Sequence, residues 1–246
     1  MDSGIIVSIV TATLNERGNV LEYIDRVRKA QGKIPYEIVV VDDNSTDGTI
    51  ELLERIEYDE PALRKIVNDH REGLLKSNLK GLKASKGRIK IVMDADLQHP
   101  PEVLGNIVEN MERGTDCTVM SRFVNGGTLS KRDAYRTSAT SLAIGLCHVF
   151  VPQTRSLKDP ISGFFAIGDR VNVPYERLFT CFGDRRGYKV LVPIIANNTD
   201  RKFAEMPYYF NNRIWGESKI GKENLLIPRY LTELSRYHSL FKESVS

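Results

Sequence analysis

Two aspartates stand one residue apart in the stretch IVMDADLQHPPE, residues 91–102. The apolar run before them is typical of a buried strand, where positions two apart face the same side. Asp94 and Asp96 would then converge, and two carboxylates repel each other unless a cation lies between them. Magnesium and manganese favour such oxygen ligands together with substrate phosphates, and Gln98 offers a neutral oxygen. The spacing predicts a divalent-metal site at Asp94, Asp96 and Gln98, with a solvated acidic turn as the alternative interpretation.

A second acidic cluster lies in VDDNSTDGT, residues 41–49. Asp, Asn and Ser are common in helix caps and turns, and we expect Asp47 to cap the following helix. Asp42 and Asp43 leave an apolar run together, which exceeds what capping requires. Ribose and sugar hydroxyls are natural partners for such carboxylates, so the cluster predicts a nucleoside or sugar contact.

Basic side chains gather further along the chain. Arginine suits bidentate phosphate contact, although most basic residues are ordinary surface charges. One cluster consists of Arg213, Lys219 and Lys222. The other lies in residues 122–158, which contain one acid, Asp133, and six basic residues: Arg122, Lys131, Arg132, Arg136, Arg155 and Lys158.

Regularly spaced strands and helices must position these groups. Apolar, β-branched runs begin near Ile5, Glu37, Arg64, Ile89 and Asp116. Helical periodicity fills three of the intervals, and such alternation predicts an α/β fold with a mostly parallel sheet flanked by helices. We expect a helix to start at Pro100–Pro101, and helices to end near Gly32, Gly87 and Gly114. Ligands of such sheets bind beyond the carboxyl ends of the strands, where the acids gather.

Composition excludes several classes of function. The 246 residues are 41% hydrophobic and 27% charged with a net charge of +3, so nucleic-acid binding is not expected. Cys117, Cys147 and Cys181 are odd in number and far apart, which argues against disulfides and zinc and fits a reducing compartment. The chain lacks GxGxxG, GxxxxGK[ST] and GxSxG motifs, which disfavours dinucleotide, P-loop and hydrolase interpretations.

Membrane contact is expected at a surface only. The stretch MDSGIIVSIV lacks the basic region and cleavage site of a signal peptide and is expected to form the first strand, and the charge-free run between Arg136 and Arg155 is too polar to favour a spanning helix. The stretch Lys131–Phe150 either packs on the core or lies at a membrane surface with its basic residues near lipid phosphates. From Ile227 onward, apolar residues share one face of a basic amphipathic helix: Tyr230, Leu231, Leu234, Tyr237 and Phe241.

Eight stretches, taken in order, resemble the dolichol-phosphate mannose synthases, which are family-two glycosyltransferases with a GT-A (Rossmann-like) fold. They are LNERGN (14–19), VDDNSTDGT (41–49), GLLKSNLKGLKASKG (73–87), VMDADLQHPPE (92–102), SRFVNGG (121–127), LKDPISGFFAI (157–167), GYKVL (187–191) and RIWGESKIG (213–221). Each motif is modest, but their number and order make the resemblance specific.

The resemblance implies transfer of mannose from GDP-mannose to dolichyl or another polyprenyl phosphate, with inversion at the anomeric carbon and Mg²⁺ or Mn²⁺ as cofactor. Asp96, Arg122 and Arg136 match catalytic positions. The metal and diphosphate set is Asp94, Asp96 and Gln98, and the acceptor-phosphate set is Arg122, Arg136 and Thr140. The implied nucleotide-sugar set is Ala12, Leu14, Glu16, Asp42, Asp43, Asp94, Arg213 and Lys219.

Departures from the family pattern concern the donor. Ala12 and Leu14 stand where proline and often tyrosine precede Asn-Glu, Leu75 replaces a small residue, and Arg88 stands where an acid is common. His99 resembles the mannose synthases, since relatives that use a UDP-sugar often carry aspartate there. Three alternatives remain: a UDP-sugar polyprenyl-phosphate glucosyltransferase, a non-catalytic sugar-nucleotide-binding or scaffold protein, and a soluble synthase acting on a sugar acceptor.

We expect one catalytic domain over residues 1–225. Its first half, 1–120, would bind the nucleotide and its second half, 121–225, the acceptor, with an amphipathic helix and tail over 226–246. The expected location is cytoplasmic, peripheral at the cytosolic face of a membrane. A membrane-anchoring partner, or a membrane segment beyond Ser246, is compatible with this expectation.

Overall fold

The computed structural model describes residues 4–129, 134–182, 187, 189–212, 215 and 226–242. The strands are β1 (Val7–Thr13), β2 (Tyr36–Asp42), β3 (Leu63–Val67), β4 (Ile89–Val92), β5 (Cys117–Ser121), β6 (Thr128–Leu129), β7 (Phe165–Gly168), β8 (Phe203–Pro207) and β9 (Tyr209–Phe210). The helices are α1 (Arg17–Gln31), α2 (Thr49–Asp59), α3 (Leu74–Ala84), α4 (Leu104–Glu112), α5 (Ala134–Phe150), α6 (Tyr175–Phe182), α7 (Leu191–Ala196) and α8 (Leu226–Lys242). Short 3₁₀ turns occupy Pro101–Val103 and Pro152–Ser156.

A seven-stranded sheet in the order β3-β2-β1-β4-β7-β5-β8 forms the centre of the fold. All of its strands are parallel except β7, which runs antiparallel to both β4 and β5. The carboxyl ends of β1, β2, β4 and β5 therefore meet at one edge. The predicted mostly parallel α/β sheet is confirmed, and a separate pair joins β6 to β9.

Two hydrophobic cores cover the two faces of this sheet. Ile9 of β1 belongs to the core beneath α1, α2 and α4, whereas its neighbour Val10 belongs to the core beneath α3, α6, α7 and α8. Ser8, Thr11 and Glu37 are buried polar exceptions, but strands buried on both faces are apolar at most positions. This is why the runs in β1 and β2 are continuous instead of alternating.

The five predicted strands and three predicted helices are present, with local corrections. At α2 the cap position is Gly48, and Asp47 instead accepts a hydrogen bond from the backbone N–H of Thr49 (3.0 Å). Gly32 and Gly114 follow α1 and α4 with positive φ, as helix ends favour. Gly87 is not a helix end: a Cβ there would lie 2.6 Å from the backbone nitrogen of Ser8, so close backbone approach requires glycine.

The strand β4 ends at Val92, before the acid pair. Strand alternation therefore does not direct Asp94 and Asp96, and that part of the sequence argument is wrong. Both residues lie in the turn that follows the strand.

The helices α5 and α8 differ in how they present apolar residues. On α8, Leu234, Tyr237 and Phe241 are buried in the core, so its apolar face packs on the protein. On α5, Leu142 and Val149 are 51% and 66% exposed. Within the described parts of the chain, no helix combines the length and hydropathy needed to cross a membrane.

Candidate active site

The turn after β4 presents the acid pair at the carboxyl edge of the sheet. Asp96 is buried at 5% exposure, whereas the Asp94 side chain is 39% exposed. Leu97 has a left-handed φ of 61°, and the backbone N–H of Gln98 donates to Asp96 Oδ1 (3.1 Å). The backbone N–H of Asp94 donates to Nδ1 of His99 (2.9 Å). These bonds fold the turn back on itself and fix both carboxylates near the sheet.

His99 holds this turn through its hydrogen bond with Asp94 and is itself buried among aromatic side chains. Its ring stacks on Phe164 at 5.0 Å and meets Tyr208 and Phe210 edge-on. Burial lowers the pKa of His99 to about 4, and the negative charge of Asp96 offsets this only in part. The ring is therefore neutral at pH 7, with Nδ1 as an acceptor. The 3.7 Å approach of Nδ1 to the Asp94 carboxylate is accordingly not an ion pair.

Gln98 is tied to the loop after β9. Its Nε2 donates to the carbonyl of Asn211 (3.1 Å), and the backbone N–H of Asn211 donates to the carbonyl of Gln98 (3.0 Å). The amide oxygen of Gln98 is not used in these bonds. Two carboxylates and an amide oxygen are hard ligands that fit a small divalent cation.

Within the described part of the chain, no protein cage completes this ligand set. Among the described residues, no group of three His, Cys, Asp or Glu side chains could hold a metal ion. Mg²⁺ commonly uses one or two carboxylates and takes its other ligands from water and substrate phosphates. The arrangement fits a cation that is shared with a phosphorylated ligand.

Asp42 binds the loops after β1 and β2 to each other. Its side chain is fully buried and accepts hydrogen bonds from Thr13 Oγ1 (2.7 Å), Ser45 Oγ (2.7 Å) and Ser45 N–H (2.7 Å). In the same loops, Thr46 N–H donates to Asn15 Oδ1 (2.8 Å). Asp42 thus has a structural role here, and its contact with a nucleoside remains a prediction.

Asp43 organises the start of α3. Its carboxylate accepts hydrogen bonds from the Nδ2 of Asn68 (3.0 Å), from Glu72 N–H (2.7 Å) and from Gly73 N–H (3.0 Å). The Ser77 hydroxyl adds a longer, fourth contact to the same carboxylate (3.4 Å), so Asp43 is well supplied with donors from the protein. The predicted ligand contact of Asp43 stays open on this geometry.

The predicted nucleotide side of the site lies where β1 ends. Ala12 and Leu14 are half-buried there. The carboxylate of Glu16 accepts from Asn19 Nδ2 (2.6 Å), and the same amide group donates to the carbonyl of Trp215 (3.2 Å). Trp215 therefore lies beside the first turn of α1. Arg213 and Lys219, which flank it, lie outside the described residues.

Arg122 follows β5 at the same edge and is held by a buried acid. Its Nε and Nη2 donate to Asp159 at 2.7 and 2.8 Å, and the two side chains are 14% and 0% exposed. Burial acts to lower the pKa of Arg122, but pairing with Asp159 outweighs this and raises it. The guanidinium lies over Phe123 and Phe210. Asp159 itself is fixed by its N–H bond to Glu205 (2.9 Å).

Two other residues of the predicted acceptor set lie on α5. The backbone of Arg136 belongs to this helix, and its side chain is outside the described part of the structure. Thr140 is half-exposed one turn further along.

Sequence reasoning missed Asp159 and Lys189. The Nζ of Lys189 donates to the carbonyl of Ile161 (3.3 Å), two residues after Asp159. Burial lowers the pKa of Lys189, and the positive charge of Arg122 lowers it further. The only signal was their presence in LKDPISGFFAI and GYKVL, whose spacing alone indicates no chemistry. The edge thus combines three acids with two cations: Asp94, Asp96, Asp159, Arg122 and Lys189.

Known protein sequences resemble this chain over most of its length. A family model described as glycosyl transferase family 2 matches residues 8–169. A dolichol-phosphate mannosyltransferase of Pyrococcus furiosus is 36% identical over 233 residues, which are 94% of this chain and 64% of that protein's length. Those of Mycosarcoma maydis and Saccharomyces cerevisiae are 32% and 31% identical, each over 82% of this chain and over 67% and 74% of their own.

Solved structures share the fold. A mycobacterial protein has a TM-score of 0.67 at 18% identity, covering 98% of this chain and 76% of its own. Glucosyl-3-phosphoglycerate synthase from Mycobacterium tuberculosis, in complex with Mn²⁺, UDP-glucose and phosphoglyceric acid, has a TM-score of 0.63 at 18% identity, covering 95% and 81%. Likeness at this level of identity concerns the fold alone.

Proposed function

Because this chain belongs to glycosyl transferase family 2, we propose that it transfers mannose from GDP-mannose to dolichyl or another polyprenyl phosphate, with inversion at the anomeric carbon. The observation that carries this proposal is the meeting of the Asp94–Asp96 turn with Arg122 at one sheet edge, in a chain 36% identical to a dolichol-phosphate mannosyltransferase. The acids suit the donor diphosphate, and the cation suits the acceptor phosphate.

The acid pair would serve the departing diphosphate. Asp94, Asp96 and Gln98 would hold Mg²⁺ or Mn²⁺, which supplies Lewis-acid stabilisation of the charge that develops on a leaving diphosphate. The distant structural neighbour that was solved with Mn²⁺ and UDP-glucose gives support for a divalent ion. Glu16, Asp42 and Asp43, with Ala12 and Leu14, would lie near the nucleoside, and Arg213 with Lys219 would contact the donor.

The acceptor needs orientation more than deprotonation. A phosphate monoester has a second pKa of about 6, so its attacking oxygen is already ionised at neutral pH. A dedicated general base is therefore unnecessary. Arg122 and Arg136, with the Thr140 hydroxyl, would hold this anion in line with the sugar, and positioning of this kind contributes several orders of magnitude to rate.

Asp159 gives Arg122 a fixed direction for that task. Its two oxygens accept hydrogen bonds from Nε and Nη2, which leaves Nη1 as the nitrogen available for a substrate oxygen. A guanidinium pinned in this way loses little rotamer freedom on binding an anion.

The names of the relatives support mannose as the transferred sugar, and the choice of GDP over UDP rests on the resemblance at His99. His99 is buried against Phe164. Its influence on the donor would therefore act through the Asp94 turn. An aspartate in this aromatic pocket would be costly, because a buried charge needs compensation.

The second half of the proposal concerns location. The acceptor lipid requires a membrane, and the exposed Leu142 and Val149 of α5 are suited to a peripheral contact at its cytosolic face. Residues 1–120 would then serve the nucleotide and 121–225 the lipid phosphate. Co-sedimentation with anionic vesicles tests this, and Leu142→Ser with Val149→Ser should reduce the bound fraction.

Radiolabelled transfer tests the chemistry. Purified protein is incubated with GDP-mannose or UDP-glucose, a short polyprenyl phosphate, and Mg²⁺, Mn²⁺ or a chelator. We expect a labelled lipid from GDP-mannose with metal, and an Asp96→Asn variant at least about a hundredfold slower. Asp59→Asn, the same change on an exposed position of α2, is the matched control. Faster transfer from UDP-glucose, or no lipid product with either donor, would contradict the proposal.

A further inference from the structure

Two side chains of α8, Glu233 and Tyr237, contact the backbone N–H and the carbonyl of Lys189, and we call this pair the clamp. The backbone N–H of Lys189 donates to Glu233 Oε1 (2.8 Å), and the Tyr237 hydroxyl approaches the Lys189 carbonyl (2.9 Å) and Glu233 Oε1 (2.7 Å). Glu233 and Tyr237 are 3% and 0% exposed. Two side chains one helical turn apart thus fix a single residue of the loop before α7.

Burying a carboxylate and a hydroxyl to hold α8 in place costs more free energy than burying apolar side chains would. Leu234 and Phe241 already give α8 an apolar contact with the core, and apolar residues at positions 233 and 237 would extend it. A buried carboxylate stabilises a fold less than a well-packed apolar side chain of similar volume. Burial, and then the neighbouring Glu233, raise the pKa of Tyr237 well above its ordinary value, so its hydroxyl remains a donor. The clamp therefore calls for a reason beyond stability.

The Lys189 side chain supplies that reason. Its Nζ donates to the carbonyl of Ile161, and an ammonium group has three donors. Within the described residues, no carboxylate forms an ion pair with this amine at 4.0 Å or less. The nearby Arg122 is paired with Asp159 through Nε and Nη2. Among the described residues at this edge, Lys189 is therefore a second cation that, beside Arg122, can contact an incoming anion.

We propose that Glu233 and Tyr237 are positioning residues that hold Lys189 where its ammonium binds the phosphate monoester of the acceptor, so that the seating of α8 is coupled to acceptor binding. This inference rests on the proposed function. The acceptor phosphate is the ligand because Lys189 lies near Arg122 and Asp159, whose charges act on its amine, and Arg122 belongs to the proposed acceptor set. Binding of the donor diphosphate is the competing outcome.

A double-mutant cycle separates positioning from packing. Tyr237→Phe, Lys189→Met and the double variant are compared for KM of farnesyl phosphate, KM of GDP-mannose and kcat. We expect each single change to raise the farnesyl phosphate KM about tenfold, which is the loss of one charge-assisted hydrogen bond. In the Lys189→Met background, Tyr237→Phe should add nothing further. Effects that multiply in the double variant would assign Tyr237 a packing role and overturn the proposal.

The matched control is Tyr230→Phe. Tyr230 lies on the same helix and donates its hydroxyl to the carbonyl of Ala143 (3.1 Å), so the same atom is removed away from Lys189. We expect a similar small loss of thermal stability and an unchanged acceptor KM. If Tyr237→Phe raises the KM of GDP-mannose instead, Lys189 serves the donor and the proposal fails as stated.

A second experiment needs no transfer activity. The rate at which acetic anhydride modifies Lys189 is followed by mass spectrometry, with the exposed Lys86 as internal reference. We expect slow modification in the wild type, protection by farnesyl phosphate, and modification several-fold faster in Tyr237→Phe and Glu233→Gln. Equal modification rates in all variants would show that Glu233 and Tyr237 do not position Lys189, and the proposal would fail. A wild type that transfers no sugar, yet shows faster modification in these variants, would refute the proposed function and leave the clamp standing.

Discussion

Removing the acid that holds Arg122 should lower both stability and acceptor binding. In Asp159→Asn the size of the side chain is kept, but the negative charge opposite a guanidinium with 14% exposure is lost. The two hydrogen bonds at 2.7 and 2.8 Å are charge-assisted, each with a value of about 1.5–3 kcal/mol. Breaking one partner of a buried pair costs about 3–5 kcal/mol. Since asparagine still accepts one bond, we expect about 3 kcal/mol.

The assay is thermal and urea unfolding beside acceptor kinetics. For a chain of 246 residues, 1 kcal/mol shifts Tm by about 2–4 °C, so Asp159→Asn should unfold about 6–12 °C earlier. The acceptor KM should rise at least about tenfold, because Arg122 loses its fixed direction. The control is Glu112→Gln, whose partner Arg88 is 51% exposed, and an exposed pair contributes at most about 1 kcal/mol.

A double variant separates the two effects. Arg122→Met with Asp159→Leu removes both charges, and replacing a buried pair by apolar residues is often neutral in stability. We expect most of the lost Tm to return while transfer stays low. If Asp159→Asn unfolds like Glu112→Gln, or if the double variant transfers sugar at the wild-type rate, the role given to this pair is refuted.

Three further changes follow from the site geometry. His99→Phe keeps the stacked ring but removes the acceptor for Asp94 N–H, so the metal concentration needed for half-maximal transfer should rise while kcat at saturating metal changes less; an unchanged metal titration argues against this support. Asp42→Ala leaves three donors without their acceptor and should cost about 3 kcal/mol in urea unfolding; a loss below about 1 kcal/mol contradicts the structural role of Asp42. A Cβ at Gly18 would already lie 3.3 Å from Trp215, so Gly18→Val should displace Trp215 and raise the KM of the nucleotide-sugar. An unchanged KM would show that Trp215 does not contribute to nucleotide-sugar binding.

The sheet was predictable because its inner strands, such as β1 and β2, are buried on both faces. A short apolar run alone could also be a buried helix, but the run in β2 is short and rich in β-branched residues, which favours a strand. The strand β7 escaped prediction, since Phe165–Gly168 has only four residues and inserts antiparallel between β4 and β5 from a distant part of the sequence. Sequence spacing carries no information about such an insertion.

The acid pair was predictable from spacing, although for a partly wrong reason. The turn after Val92 brings Asp94 and Asp96 to the edge through His99 and the Leu97 φ of 61°, not through strand alternation. The pairing of Arg122 with Asp159 spans 37 residues, and no local pattern predicts it. Long-range charge pairs of this kind become visible only when the fold is known.

The apolar face of α8 predicted the helix, but it did not predict the contact that the helix makes with Lys189. Glu233 lies one turn from Tyr237 on that face, and an acid within an apolar stripe is unusual. That single departure was the available signal for the contact with Lys189. The sequence predicts a basic amphipathic helix here, and its apolar face packs on the protein, where Leu234 and Tyr237 are buried.

Calorimetric titration of GDP tests the central claim most directly, since the claim is that the Asp94–Asp96 turn holds a divalent ion shared with a nucleoside diphosphate. GDP is titrated into the wild type and into Asp96→Asn with Mg²⁺, with Mn²⁺ and with a chelator. We expect GDP binding that requires the ion and is at least about tenfold weaker in Asp96→Asn. Equal GDP affinity with and without the ion, or in both proteins, would contradict it.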